Sequence, residues 1–222
     1  MTSGKSGNKV NRAWLHEHVN DPYVKMAQKD GYRARAAYKL KEIDEALQLL
    51  KPGQLVVDLG AAPGAWSQYV QRKLSTRRKG ETQSAGRTGR LIALDLLPMD
   101  PIEGVEFIQG DICSEEVLTE LTERLHGQQL DLVLSDMAPN LSGVAVTDAA
   151  RIELLIELAL DFAAQHLKPD GALVAKVFHG AAYEALFKRF SKAFRVVKRI
   201  KPKASRGRSA ETFLVGQGLR TG

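Results

Sequence analysis

From Gln54 onward the chain alternates short apolar runs with longer amphipathic stretches. The runs at 55–59, 91–96, 105–109, 130–135, 172–178, 194–200 and 212–216 are short, rich in branched and aromatic residues and bounded by turn formers, so they predict seven strands. Helical apolar spacing over 66–74, 115–125, 148–167 and 181–190 predicts helices between most of them. Strands that alternate with helices imply a mostly parallel sheet covered on both faces. The last two strands are separated by about a dozen residues, too few for a comfortable helical crossover, so the final pair is expected to be antiparallel. The fold class expected is therefore α/β, with a seven-stranded, mostly parallel, doubly wound sheet and an antiparallel last strand.

The chain before the sheet has a different pattern. Residues 33–50 (RARAAYKLKEIDEALQLL) predict an amphipathic helix with Leu40, Ile43, Leu47 and Leu50 on one face, stopped by Lys51-Pro52-Gly53. Two shorter helices are expected across 14–28, broken at Asn20-Asp21-Pro22. The expected organisation is a disordered basic tail over 1–12 and a single domain over 13–222. Residues 13–52 form a helical cap within that domain, and 76–89 (TRRKGETQSAGRTG) a long flexible basic loop.

Ligands in such sheets bind beyond the carboxyl ends of the strands. Those ends carry the turn at 60–66, then Asp95, Asp111 and Asp136. The first turn lies in VVDLGAAPGAW, where Gly60 and Gly64 allow a sharp bend and the close approach of a ligand. It is neither G-x-G-x-x-G nor a P-loop with Gly-Lys-Ser/Thr, which argues against dinucleotides and nucleoside triphosphates. Asp58 suits a cationic group instead, such as the amino acid end of S-adenosylmethionine. Asp95 is placed to accept hydrogen bonds from the ribose hydroxyls of an adenosine, and Asp111 from an adenine amino group. Either acid could equally cap the following turn. Lys176 stands inside the apolar run ALVAKVF, where desolvating an ammonium is costly and burial favours the neutral amine, a candidate proton acceptor.

Composition narrows the field. The 222 residues are 44% hydrophobic, with no apolar stretch of the ~20 residues that a membrane span needs. The polar N-terminus has no signal-like core, one cysteine (Cys113) excludes a disulfide framework, and five scattered histidines make no metal motif. A cytoplasmic, metal-free monomer that does not contact membranes is expected. The net charge of +6 hides strong segregation. Residues 1–41 carry nine Lys/Arg against three acids, 72–90 seven against one, and 188–208 ten against none. Three such runs point to a polyanionic partner, most simply nucleic acid. With aromatic residues at only 6%, shape recognition of structured RNA is favoured over base stacking.

The string DLGAAPGAWSQYV resembles motif I of S-adenosylmethionine-dependent methyltransferases, in the form carried by the FtsJ (RrmJ) family of RNA ribose 2′-O-methyltransferases. DGYRARAAYKL, LLPMDP, SDMAPNLSG and KVF extend the resemblance from about Trp14 to Val215. Lys39, Asp136, Lys176 and Glu211 match the family's K-D-K-E tetrad in order and local context. The resemblance implies a Rossmann-like methyltransferase fold with S-adenosylmethionine as cofactor. It assigns the adenosine to Asp95 and Asp111, and the methionine end to Gly60, Gly64, Trp66 and the Asp136 region. It further implies methylation of a uridine ribose in 23S rRNA on the 50S subunit, with Lys176 accepting or steering the hydroxyl proton. Departures are Ala65, where a second glycine is common, and the longer basic loop. Base N-methylation needs Asn/Asp-Pro-Pro-aromatic where this chain has Asp-Met-Ala-Pro, and carbon-5 methylation needs a cysteine better placed than Cys113. A tRNA or cap 2′-O-methyltransferase, or a non-catalytic assembly factor with this fold, are the alternatives.

Overall fold

The computed structural model describes residues 20–75, 89–139, 142–180, 182–206 and 209–220. The expected tail at 1–12, the helix around 14–19 and the loop at 76–89, apart from Gly89, lie outside the described residues. The elements run α1 (Pro22–Lys29), α2 (Ala37–Leu47), β1 (Leu55–Leu59), α3 (Ala65–Leu74), β2 (Arg90–Asp95), β3 (Val105–Gln109), α4 (Glu115–Arg124), β4 (Leu130–Ser135), α5 (Ala145–His166), β5 (Leu167–Phe178), α6 (Tyr183–Ala193), β6 (Phe194–Ile200) and β7 (Glu211–Leu219).

The seven strands form one sheet in the order β3-β2-β1-β4-β5-β7-β6. Every pairing from β3 to β5 is parallel, while β7 runs antiparallel to both β5 and β6. The reversed final pair thus matches the spacing argument, but β7 also inserts between β5 and β6, which local pattern did not indicate. Strand β1 is buried along its whole length, as a central strand covered on both faces must be. Its side chains alternate between two apolar layers. Leu55, Val57 and Leu59 join the layer with Leu121, Phe162, Leu186 and Phe190, whereas Val56 faces Leu40, Ile43, Trp66 and Val70.

Local chemistry explains where the elements depart from the pattern. Helix α1 starts on Pro22, with the Asp21 carboxylate accepting from the Tyr23 amide. Helix α2 is shorter than the 33–50 expected. At its front, the Arg33 amide donates to Gln68 Oε1 and the Arg33 guanidinium to the carbonyls of Pro63, Asp100 and Pro101. At its back, Gln48 takes a left-handed φ of 53° and the buried Asp44 carboxylate accepts from the Leu50 amide at 2.8 Å. Leu50 is buried all the same, carried inward by that turn rather than by the helix. Strand β5 begins at Leu167, five residues before expectation, because Leu167 pairs with Leu130 ahead of a register irregularity.

This arrangement sets up one end of the sheet. The carboxyl ends of β1, β2 and β4 deliver Asp58, Asp95 and Asp136. Because β7 is reversed, its first residue, Glu211, lies opposite Phe178 at the carboxyl end of β5.

Candidate active site

The turn after β1 is pinned to β2 by the Gly60 and Ala61 amides, which donate to the Leu94 carbonyl at 2.8 and 3.2 Å. Gly60 has a φ of +78°, and a Cβ there would lie 2.8 Å from the Met137 backbone nitrogen. Gly64 has a φ of +105° and touches the Arg33 guanidinium and Ile102, leaving no space for a methyl group. Gly64 N-caps α3 without any side-chain cap, so the first-turn amides of that helix remain available to a ligand. Gly60, Ala62, Asp95, Asp111 and Asp136 line a cleft of about 530 Å³, with Leu96, Leu97, Ile112, Met137 and Leu154 as its apolar wall. That volume is within the range of small-molecule and cofactor sites.

Asp58 lies beneath this turn, fully buried. Ser67 Oγ donates to its Oδ2 at 2.6 Å, while Oδ1 has no hydrogen-bond partner among the described residues. Burial first, and then the charges of Asp136 and Asp95, push its carboxyl up to about 7 against the lowering effect of Ser67. Asp95 accepts from the Ala62 amide on Oδ2 and the Leu97 amide on Oδ1, both at 2.8 Å. Asp111 accepts from the Cys113 amide at 2.9 Å. Both acids therefore cap turns and line the cleft at once. Each oxygen engaged this way retains lone-pair capacity for a ligand donor.

Trp66 requires a correction at the level of its side chain. The indole is buried, packs against Phe213 and donates to the Ala36 carbonyl at 2.8 Å, tying α3 to α2. It does not line the cleft. Any contact of Trp66 with a ligand is limited to its backbone amide in the first turn of α3.

The four residues of the expected tetrad meet as two ion pairs. Lys176 Nζ lies 2.9 Å from Asp136 Oδ1 and donates to the Asp136 carbonyl at 2.7 Å. Asp136 Oδ1 is close enough for Coulomb attraction but outside hydrogen-bond geometry, so the directed bond is the one to the carbonyl. Lys39 Nζ lies 2.7 Å from Glu211 Oε1, with both side chains largely buried. Burial alone would raise the Glu211 carboxyl, but the charge and hydrogen bond of Lys39, the Ser205 hydroxyl and the Lys176 charge bring it below its ordinary value. Lys176 is thus paired with Asp136 and close enough for its charge to act on Glu211. In the sequence Lys39 has the look of a surface lysine; its 14% side-chain exposure puts it inside.

A family model described as FtsJ-like methyltransferase matches residues 32–219. The chain belongs to the FtsJ-like methyltransferase family. Among its relatives, "Ribosomal RNA large subunit methyltransferase E" of Albidiferax ferrireducens is 64% identical over 222 residues, covering 99% of both chains. The protein of the same name from Methylibium petroleiphilum is 64% identical over 215 residues, covering 96% of both. A crystal structure assigned as a ribosomal RNA methyltransferase of Plasmodium falciparum superposes with a TM-score of 0.71 at 29% identity, over 85% of this chain and 98% of that one. The sheet order and reversed β7 of this FtsJ-like methyltransferase are therefore those of a Rossmann-like methyltransferase fold.

Sequence reasoning on this FtsJ-like methyltransferase missed several residues that build the site. Ser67 and Met137 shape the floor of the turn, Arg33 buttresses Gly64, and Ser205 donates to Glu211 Oε1 at 2.8 Å. Leu96 and Leu97 did leave a signal. Two adjacent leucines directly after a strand-ending acid are mostly exposed, at 57% and 60%, which is expected of a ligand-facing wall and not of a core.

Proposed function

We propose that the protein transfers a methyl group from S-adenosylmethionine to the 2′-oxygen of a ribose in large-subunit ribosomal RNA, a uridine of the 23S molecule as met in the 50S particle. The observation that carries this reading is the pair of lysine–carboxylate contacts, Lys176–Asp136 and Lys39–Glu211, beside the cleft at the carboxyl end of the sheet. The names carried by the full-length relatives support the substrate.

The residues present fit the cofactor. The unpartnered buried Oδ1 of Asp58 suits a cationic amino acid end, and Gly60 brings bare backbone to the cleft wall, whereas Gly64 is packed against Arg33, Met99 and Ile102 and does not line the cleft. Asp95 offers acceptors for ribose hydroxyls, Asp111 one for an adenine amino group, and Leu96, Leu97, Ile112 and Leu154 an apolar surface for the base. When bound, the cofactor supplies a sulfonium-activated methyl group.

The protein's task is then to align and deprotonate a poor nucleophile. The 2′-oxygen must approach behind the methyl carbon at ~3–3.5 Å, so orientation supplies much of the rate. Lys176 is the group positioned to take or steer the hydroxyl proton, with Asp136 fixing its Nζ from the end of β4. Lys39, anchored by Glu211, adds positive potential that favours the oxyanion and the RNA backbone. Lys201 and Lys203, exposed in the segment leading to Glu211, are the cations offered to RNA phosphates on the site side of the sheet, although Lys201 Nζ also donates to the Ser209 carbonyl, and Arg206 is held near Asp21. Arg195, by contrast, lies at the opposite end of β6, opposite the end of β7.

The test is methyl transfer from tritiated S-adenosylmethionine to 50S subunits from cells lacking the protein, with 2′-O-methyl mapping of the RNA. Wild-type protein should mark a single ribose. Lys176→Ala should lose about 10²–10⁴-fold in turnover with cofactor affinity unchanged. Loss of cofactor binding along with turnover would refute the assignment of Lys176, and a mark on a base or on tRNA alone would refute the substrate.

A further inference from the structure

Glu211 is held by a residue that neither the tetrad nor the cleft accounts for. Ser205 is only 6% exposed, and its hydroxyl donates to Glu211 Oε1 at 2.8 Å. Lys39 reaches the same oxygen at 2.7 Å. Among the described residues both donors to this carboxylate fall on Oε1. A single flexible lysine leaves a carboxylate free to rotate about χ3, whereas a second donor from a different direction fixes its plane.

The backbone that presents Ser205 is itself clamped. The Lys203 and Ala204 amides donate to the two oxygens of Glu42, at 2.5 and 3.1 Å, and the Ala204 carbonyl accepts from Arg35. Ala204 is fully buried in a small cluster with Ala27 and Tyr38. Glu42 also accepts from the Tyr23 hydroxyl at 2.9 Å. Residues from α1 and α2, roughly 160 positions away in sequence, therefore hold residues 203–205 in one place against the helical cap.

We propose that Ser205 is a positioning residue for catalysis. Through its hydroxyl it fixes the Glu211 carboxylate, and through that carboxylate the Nζ of Lys39 beside the reacting ribose. Glu42 fixes Ser205 in turn. The inference rests on the reading of Lys39 and Glu211 as parts of the reaction centre. It adds a residue that acts on them without touching substrate or cofactor.

The experiment measures methyl transfer to 50S subunits for the full chain with Ser205→Ala, Ser205→Thr, Glu211→Gln and the Ser205→Ala/Glu211→Gln double variant. Losing one hydrogen bond to a charged group predicts a kcat lower by about ten- to hundredfold for Ser205→Ala. KM for the particle and the cofactor Kd should stay within about twofold, and Ser205→Thr should restore most of the rate. In the Glu211→Gln background, Ser205→Ala should cost nothing further, because the two act as one unit. Ser205→Cys, which keeps the volume and loses the strong donor, gives the same information where alanine compromises the fold. A wild-type kcat for Ser205→Ala, a loss confined to KM, or an equal penalty in both backgrounds would overturn the proposal. A wild-type rate for Glu211→Gln would instead overturn the reading of the site beneath it.

Discussion

Asp58→Asn should make the ligand-free protein more stable, and increasingly so as pH rises. In the folded chain burial holds the Asp58 carboxyl up to about 7, while in the unfolded chain it titrates near the ordinary aspartate value of 3.8. Between those values the folded state keeps a proton that the unfolded state has released. The contribution of Asp58 to stability therefore falls as pH rises from about 4 through about 7, and levels off above. Roughly three pH units at ~1.4 kcal/mol each give ~4 kcal/mol in full, of which about 2–3 kcal/mol is lost between about pH 5 and about pH 8. Asparagine keeps the shape and an oxygen for Ser67 but has no proton to lose. Glu211 and Asp148, whose carboxyls are lowered and titrate with the opposite sign, are present in both proteins and cancel in the comparison. Urea unfolding of both proteins without cofactor, followed by tryptophan fluorescence across that pH range, reads the gap. A stability difference that stays constant from about pH 5 to about pH 8 would show that Asp58 ionises normally and that the buried-acid argument is wrong.

Two further outcomes can be measured directly. Gly60→Ala places a Cβ 2.8 Å from the Met137 backbone at a left-handed φ, and should cost about 1–3 kcal/mol of stability; it should also abolish cofactor binding by calorimetry, and wild-type affinity would refute the close-approach role. Replacing Lys201 and Lys203 together by glutamine should reduce the slope of log K for RNA against log salt by about 1.5, the share of two phosphate contacts, and an unchanged slope would place the RNA elsewhere.

What the sequence made legible is what local pattern encodes. Strand ends carrying acids, a lysine in an apolar run and a glycine-bracketed turn are each visible within a few residues of chain, so Asp58, Asp95, Asp136 and Lys176 could be singled out one by one. The single sheet covered on both faces followed from the alternation of periods. What stayed hidden depends on partners far apart in sequence. Ser205 is an ordinary serine in a basic stretch until Glu211 folds over it, and Glu42 is a surface-type residue on an amphipathic helix until the 203–205 backbone meets it. Asp44 falls at i+4 from Leu40 and i−3 from Leu47, an acid on the apolar side of the helix, and it is buried with Leu50, Tyr69 and Lys73 all converging on its carboxylate. Trp66 misled in the other direction. The family resemblance assigned it to the methionine end, but its large apolar ring, in the first turn of α3, gains more by packing on Phe213.

The reversed strand has a consequence for how the molecule is made. Since β7 separates β5 from β6, a growing chain that has finished Ile200 possesses an edge with nothing to lie against it and a sixth strand with no neighbour to join. The segment that closes that gap begins with the very acid that grips Lys39. A chain that stopped before residue 211 would therefore lack at once the strand that completes the sheet and the carboxylate that holds Lys39.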